Sequence, residues 1–357
     1  MNMRLPIARL RIVATALACI ALGGCSSSTS SHLAYVATSS GVFAFRINDK
    51  TGAPTTIFSA PFVLGRSPSA IVIGPSGNLA YISNELDNTI SLVKIDTSSG
   101  ALSEVLPRTP VAGLSPSAMV MDPAGSFLYV AEQGTNDVAS YSVGSDGSLS
   151  LVSTASVGAA PSGMALSKSG DLLFVAVPSF LKIYAFTLSA GTLTPAMGSP
   201  FSVSDGVTSV AIDPTASFLY APNPTANTIS GFSILSGGVL SQLPTSPYGN
   251  TKSPLKTPVA NAVDPTGKFL YVANFASTSI SEFDVSGTGE LTPATTASAS
   301  AGTNPDFFAF DPNGKYMYVA NEGSNSFTEF LLNSDGTLTS KNTIQVGAVP
   351  RSIAFTK

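Results

Sequence analysis

One line of sequence recurs along this chain and leaves few folds open to it. Asp122-Pro-Ala-Gly-Ser-Phe-Leu-Tyr-Val-Ala returns as Asp213-Pro-Thr-Ala-Ser-Phe-Leu-Tyr-Ala, as Asp264-Pro-Thr-Gly-Lys-Phe-Leu-Tyr-Val-Ala-Asn and as Asp311-Pro-Asn-Gly-Lys-Tyr-Met-Tyr-Val-Ala-Asn. Weaker copies start at Gly74 and Ser167. The aromatic anchor of each copy falls at Tyr35, Tyr81, Tyr129, Phe174, Tyr220, Tyr271 and Tyr318, with separations of 46, 48, 45, 46, 51 and 47 residues. Seven units of about 47 residues consume positions 32–357, so no second domain fits.

Within a unit the pattern changes in a fixed order. Pro116 to Met121 reads as a short apolar strand. Asp122-Pro-x-Gly125 is a turn, in which proline fixes φ and the Asp side chain accepts from the backbone beyond it. Phe127 to Ala131 is a second strand, Asp137 to Val143 alternates as a third, and Ser148 to Ser153 follows the Gly144-Ser-Asp-Gly147 turn as a fourth. The 31 glycines and 25 prolines suit many tight turns, and no helical stretch separates the strands. Four antiparallel strands per repeat make a propeller blade. The first unit, from His32, lacks its Pro-Ser-Ala strand, and the chain ends in that strand, Val349-Pro-Arg-Ser-Ile-Ala-Phe355. The expected fold is therefore an all-β, seven-bladed propeller closed by the C-terminal strand, which removes the open edge.

Tyr129-Val-Ala-Glu, Tyr271-Val-Ala-Asn and Tyr318-Val-Ala-Asn resemble the YVTN family of seven-bladed propellers. The spacing and the Asp-Pro-x-Gly turns are similar to its lactonase-like branch, named for bacterial 6-phosphogluconolactonase. The resemblance covers nearly all of residues 32–357 and concerns motifs that build blades. It implies opening of a sugar lactone by an acid and an arginine at one rim. The chain departs from it in lacking a rim histidine.

The N-terminus reads as an address. Arg4, Arg9 and Arg11 precede the apolar run Ile12 to Leu22, eleven residues long. That is too short for a bilayer span, which needs roughly 20, and it fits the h-region of a secretory signal. Leu22-Gly23-Gly24-Cys25 resembles the bacterial lipobox, which implies acylation of Cys25. Residues 1–24 are then a signal peptide, residues 25–31 a lipidated Cys with a Ser/Thr tether, and the protein an exported one anchored by its acyl chain to the bacterial cell envelope, at the outer membrane or cell surface. The mature chain carries 14 Lys and Arg against 21 Asp and Glu. That acidic balance excludes a nucleic-acid binder driven by a basic surface. With Cys25 its single thiol and His32 its single histidine, the mature chain has no Ser-His-Asp relay, no disulfide and no cysteine zinc site. No metal and no cofactor is expected, and His32, beside the tether, is expected exposed.

Strand direction brings certain residues to one rim. The start of the first strand and the end of the second share one end of a blade, opposite the Asp-Pro turns. The position after each first-strand proline reads Ser69, Ser117, Ser162, Thr208, Val259, Asp306 and Arg351, the fifth copy having Val207 for proline. Asp306 and Arg351 fall on blades that closure makes adjacent, as a structural ion pair or as an anion-binding Arg beside an acid. Arg66 precedes Pro68 by two residues. Four positions after the anchors stand Ser39, Glu85, Gln133, Pro178, Pro224, Phe275 and Glu322, with Glu132 one place earlier in its repeat. Asn84, Asn223, Asn274 and Asn321 recur there as turn-capping amides. Candidate residues are thus Glu85, Glu132, Glu322, Arg66, Arg351 and Asp306. So few catalytic groups on so regular a scaffold point first to binding of a small molecule, glycan or protein at the channel rim. A lactonase is the alternative, since a carboxylate base and an oxyanion-binding Arg suffice for an activated ester. An envelope scaffold that docks a protein partner through its blades is the third.

Overall fold

The computed structural model describes residues 30–294 and 298–357. The leader and Cys25 lie outside the described residues. Seven antiparallel sheets are arranged around a channel. Blade two comprises Pro68–Ile73, Leu79–Asn84, Thr89–Ile95 and Leu102–Pro110, from the channel outward. Blade three repeats this with Pro116–Met121, Phe127–Glu132, Asp137–Val143 and Leu149–Ser156. Blades six and seven begin at Pro258–Val263 and Pro305–Phe310. In blades four and five the inner strand shortens to Met164–Leu166 and Ala211–Ile212.

Blade one is closed as expected. Its inner strand is Pro350–Phe355, paired antiparallel with Ser31–Thr38 so that Val36 faces Ile353 and Ala34 faces Phe355. The Thr356 amide donates to the Leu33 carbonyl, and the Thr356 hydroxyl accepts from the Leu33 amide. His32 departs from expectation. It is buried, bonded to Asp49 at 2.7 Å, with its ring edge-on to Phe355, because the closing strand covers it.

The core lies between blades. Seven apolar clusters each join one blade to the next, and one of them packs Tyr318 and Phe327 of blade seven against Val36, Phe45 and Ile353 of blade one. The second strand of each sheet is therefore buried on both faces, which explains runs such as Phe-Leu-Tyr-Val-Ala that do not alternate. The anchor tyrosines do more than fill space. Tyr35, Tyr81, Tyr220, Tyr271 and Tyr318 donate their hydroxyls to the carbonyls of Gly100, Gly147, Gly289, Gly336 and Gly52, each in the outer turn of the next blade. These glycines have φ between 76° and 89°. A Cβ at Gly289 or Gly336 would also strike Phe218 or Phe269 of the preceding blade. Glycine is thus required twice over, by backbone conformation and by close approach.

The Asp-Pro turns work as the sequence implies. Asp264 Oδ1 accepts from the amides of Lys268 and Phe269 at 2.8 and 2.9 Å, and Asp311 repeats this with Lys315 and Tyr316. Ser167 replaces the carboxylate with its hydroxyl, accepting from Asp171 and Leu172.

Candidate functional site

At the end of the channel opposite these turns, all seven inner strands converge on a cavity of about 560 Å³. Its wall takes the residue after each first-strand proline, with Glu85 and Gln133 from the ends of second strands. Most of the hydroxyls on this wall are engaged. Ser69 donates to the Pro116 carbonyl at 2.7 Å, Ser162 to Thr208 at 2.8 Å and Thr208 to Val259 at 2.6 Å. Each bond crosses from one blade to the next, so these side chains form an interblade girdle. Ser117 turns back to Ala131 of its own blade, at 3.4 Å.

The girdle changes character where the ring closes. Asp306 of blade seven and Arg351 of blade one stand in the hydroxyl position, and both line the cavity. Three ion pairs occur among the described residues, and Asp306–Arg351 is not one of them. Asp306 Oδ1 is buried with no hydrogen-bond partner. Burial, reinforced by the negative charge of Glu322 and only partly opposed by Arg351, pushes the Asp306 carboxyl up to about 8. At neutral pH it is mainly protonated, a proton donor on the same cavity wall as the exposed Arg351.

The remaining candidates divide. Glu85 lines the cavity and accepts from the Ser67 hydroxyl at 3.2 Å. Glu322 begins a short 3-10 turn and acts on Asp306 through its charge. Arg66 is held at the surface by Asp87, whose carboxylate takes its Nε at 2.6 Å and its backbone amide at 2.8 Å. Those bonds hold the Asp87 carboxyl below the usual range.

Glu132 lies within the molecule, fully buried. It occupies the place of the recurrent asparagines, which bridge the second and third strands, Asn274 and Asn321 also capping the loop amides of Lys256 and Gly302 through Oδ1. Asn84 Nδ2 donates to Thr89 and Ser91, Asn223 to Thr228 and Ser230, and Asn321 to Ser326 and Thr328. In blade three the equivalent third-strand residues are Asp137 and Ala139. Burial, then the neighbouring Asp137 carboxyl, pushes the Glu132 carboxyl up to about 7, and the Tyr141 hydroxyl donates to its Oε1 at 3.4 Å. Sequence reasoning aligned these positions without reading the partner five residues on.

No group of three or more His, Cys, Asp or Glu placed to hold a metal occurs among the described residues. The family model for seven-bladed β-propeller lactonases matches residues 39–195 and 181–355. The chain belongs to the lactonase family of seven-bladed propellers. Among solved structures, this lactonase-family propeller superposes on a Bacteroides fragilis protein carrying a provisional assignment as 6-phosphogluconolactonase. The TM-score is 0.80 and the identity 22%, over 93% of this chain and 99% of that one. A Pseudomonas aeruginosa periplasmic gluconolactonase gives a TM-score of 0.76 at 21% identity, over 92% and 99%. At such identities the likeness establishes the fold. No curated protein matches the sequence.

Proposed function

We propose that this propeller hydrolyses a lactone in the channel mouth at the ring closure. The observation that carries the reading is Asp306, a carboxyl with a buried, unpartnered oxygen on the same cavity wall as the uncommitted guanidinium of Arg351, where Ser69, Ser162 and Thr208 of other blades are engaged. Water attacks the lactone carbonyl and gives its proton to Glu85. Arg351 stabilises the oxyanion as the intermediate forms. The ring C–O bond then breaks, and its oxygen takes the proton of Asp306, leaving a hydroxy acid. Return of the proton from Glu85 to Asp306 through solvent completes the cycle.

A single arginine in the cavity wall favours an unphosphorylated substrate. The periplasmic gluconolactonase among the structural neighbours supports such chemistry outside the cytoplasm. Assay of the purified protein against aldono- and alkyl-lactones should show turnover that falls roughly 100-fold in Asp306→Asn and Arg351→Ala. Binding of lactones without turnover would leave the site a receptor for small molecules or glycans instead.

Export and anchoring through Cys25 are part of the same proposal. The strand Ser31–Thr38 starts at the turn end of blade one, so a tether from Cys25 would leave the channel mouth unobstructed. Incorporation of labelled palmitate that is lost in Cys25→Ala tests it.

A further inference from the structure

The channel does not end with the polar cavity. Beneath it lies a second chamber of about 490 Å³ that opens among the Asp-Pro turns. The two share the walls formed by Ile71, Met119 and Val120. Their surfaces differ in kind. The upper chamber is mostly polar, with Asp306, Arg351, Glu85 and Gln133 at its rim. The lower one is mostly apolar, walled by Ile73, Met121, Leu166 and Phe355, with Lys168 and Lys357 also on its lining. The one acidic side chain on its lining, Asp122, is engaged by the Phe127 amide.

A sugar lactone, hydroxylated on every side, has nothing to gain from an apolar chamber below the reacting end. A molecule with a polar head and a hydrocarbon tail gains from both. Resting on the lactone-hydrolysis reading, we propose that the substrates are lactones bearing an aliphatic chain, the ring held at Asp306 and Arg351 and the chain extending past Met119 into the lower chamber. The apolar wall, rather than the rim, then sets specificity.

The test is a series of γ-lactones sharing one ring, with linear substituents from methyl to octyl, and glucono-δ-lactone as the tail-free control. With the intact protein, kcat/KM should rise roughly threefold per added methylene and level off once the chamber is filled. Met121→Lys should flatten the series, and Met121→Leu should retain it. Turnover of glucono-δ-lactone with a flat alkyl series would overturn the proposal and leave lactone hydrolysis standing. Absence of turnover on every lactone would overturn the hydrolytic reading instead. The chamber is then read by calorimetry with the matching alkyl lactams: a Kd that tightens with chain length supports the tail site, and one indifferent to length rejects it.

Discussion

Blades four and five and the seam between blades seven and one use the same backbone position to opposite ends. At Ser162 and Thr208 a hydroxyl donates across the blade boundary to a carbonyl of the next blade, so its hydrogen-bonding capacity is committed to the ring. At the seam the position holds Asp306 and Arg351, which face the same cavity without such a bond. Elsewhere in the ring, side-chain hydrogen bonds help to hold neighbouring blades together. At the seam Tyr316 and Tyr318 donate to the carbonyls of Lys50 and Gly52 in the outer turn of blade one, the closing strand pairs with Ser31–Thr38 of its own blade, and Ile353 packs with Tyr318 and Phe327. Because the seam is held by its outer tyrosine bonds, the closing strand and apolar packing, the inner position there can keep its side chains free for chemistry.

The largest effect should come from breaking the seam itself. Deleting residues 349–357 removes the Pro350–Phe355 strand, uncovers His32 and exposes the edge of Ser31–Thr38. Several hydrogen bonds at about 1 kcal/mol each, with burial of Ile353 and Phe355 at roughly 2 kcal/mol each, approach the whole stability of an ordinary domain. Loss of the cooperative thermal transition is expected. A melting curve that is unchanged would show that the ring does not depend on this strand.

The second prediction sharpens the contrast in chemistry. The Asp306 carboxyl, pushed up to about 8, is a proton donor below that pH and loses the role above it. The hydrolytic rate should therefore fall as pH rises through about 8, whereas Asp306→Asn should be slow and lack that limb. Replacing Ser162 by Ala should leave the pH profile where it was. A profile that keeps its alkaline limb in Asp306→Asn would assign the limb to another group.

The architecture was open to reading because its signals are local. Asp-Pro-x-Gly turns, apolar strands and aromatic anchors follow one another at short range, and the unpaired C-terminal strand has one evident partner. The candidate site was legible only in part. Alignment brought Asp306 and Arg351 to one rim, since inner strands share a direction. It could not tell that Arg66 would be captured by Asp87, twenty-one residues on, or that Glu132 would be enclosed between blades. Those outcomes depend on side-chain direction after a turn and on the neighbouring blade, neither of which a repeat alignment contains.

Glu132 also extends the comparison to the interior, where four blades use asparagine and blade three a carboxyl pair. The sign follows from linkage. The folded-state carboxyl titrates near 7, above the ordinary value of 4.5, so the folded protein binds the proton more tightly. Its contribution to stability is complete below the ordinary value, declines as pH rises toward 7 and is gone above it. The span corresponds to roughly 3 kcal/mol. Glu132→Gln supplies a permanent amide donor toward Asp137. It should abolish that decline and raise the melting temperature at pH 8 by several degrees. Equal slopes for the two proteins between pH 5 and 7 would place the titration elsewhere.

The smallest effect concerns the tyrosine bonds, and the molecule contains its own control. Tyr271 reaches the Gly336 carbonyl at 2.9 Å in a fully buried site. Phe174 fills the corresponding socket against Gly238 with no hydroxyl to offer. Tyr271→Phe leaves the buried Gly336 carbonyl without this donor and should cost about 1–2 kcal/mol. Phe174→Tyr supplies the Gly238 carbonyl with a donor and should gain up to about 1 kcal/mol, provided the added oxygen fits beside Leu172, which also closes on that glycine. Chemical denaturation of both variants measures the pair. If both lose stability equally, the socket at Gly238 is shaped for phenylalanine, and blade four has repacked around the missing bond rather than merely lacking it.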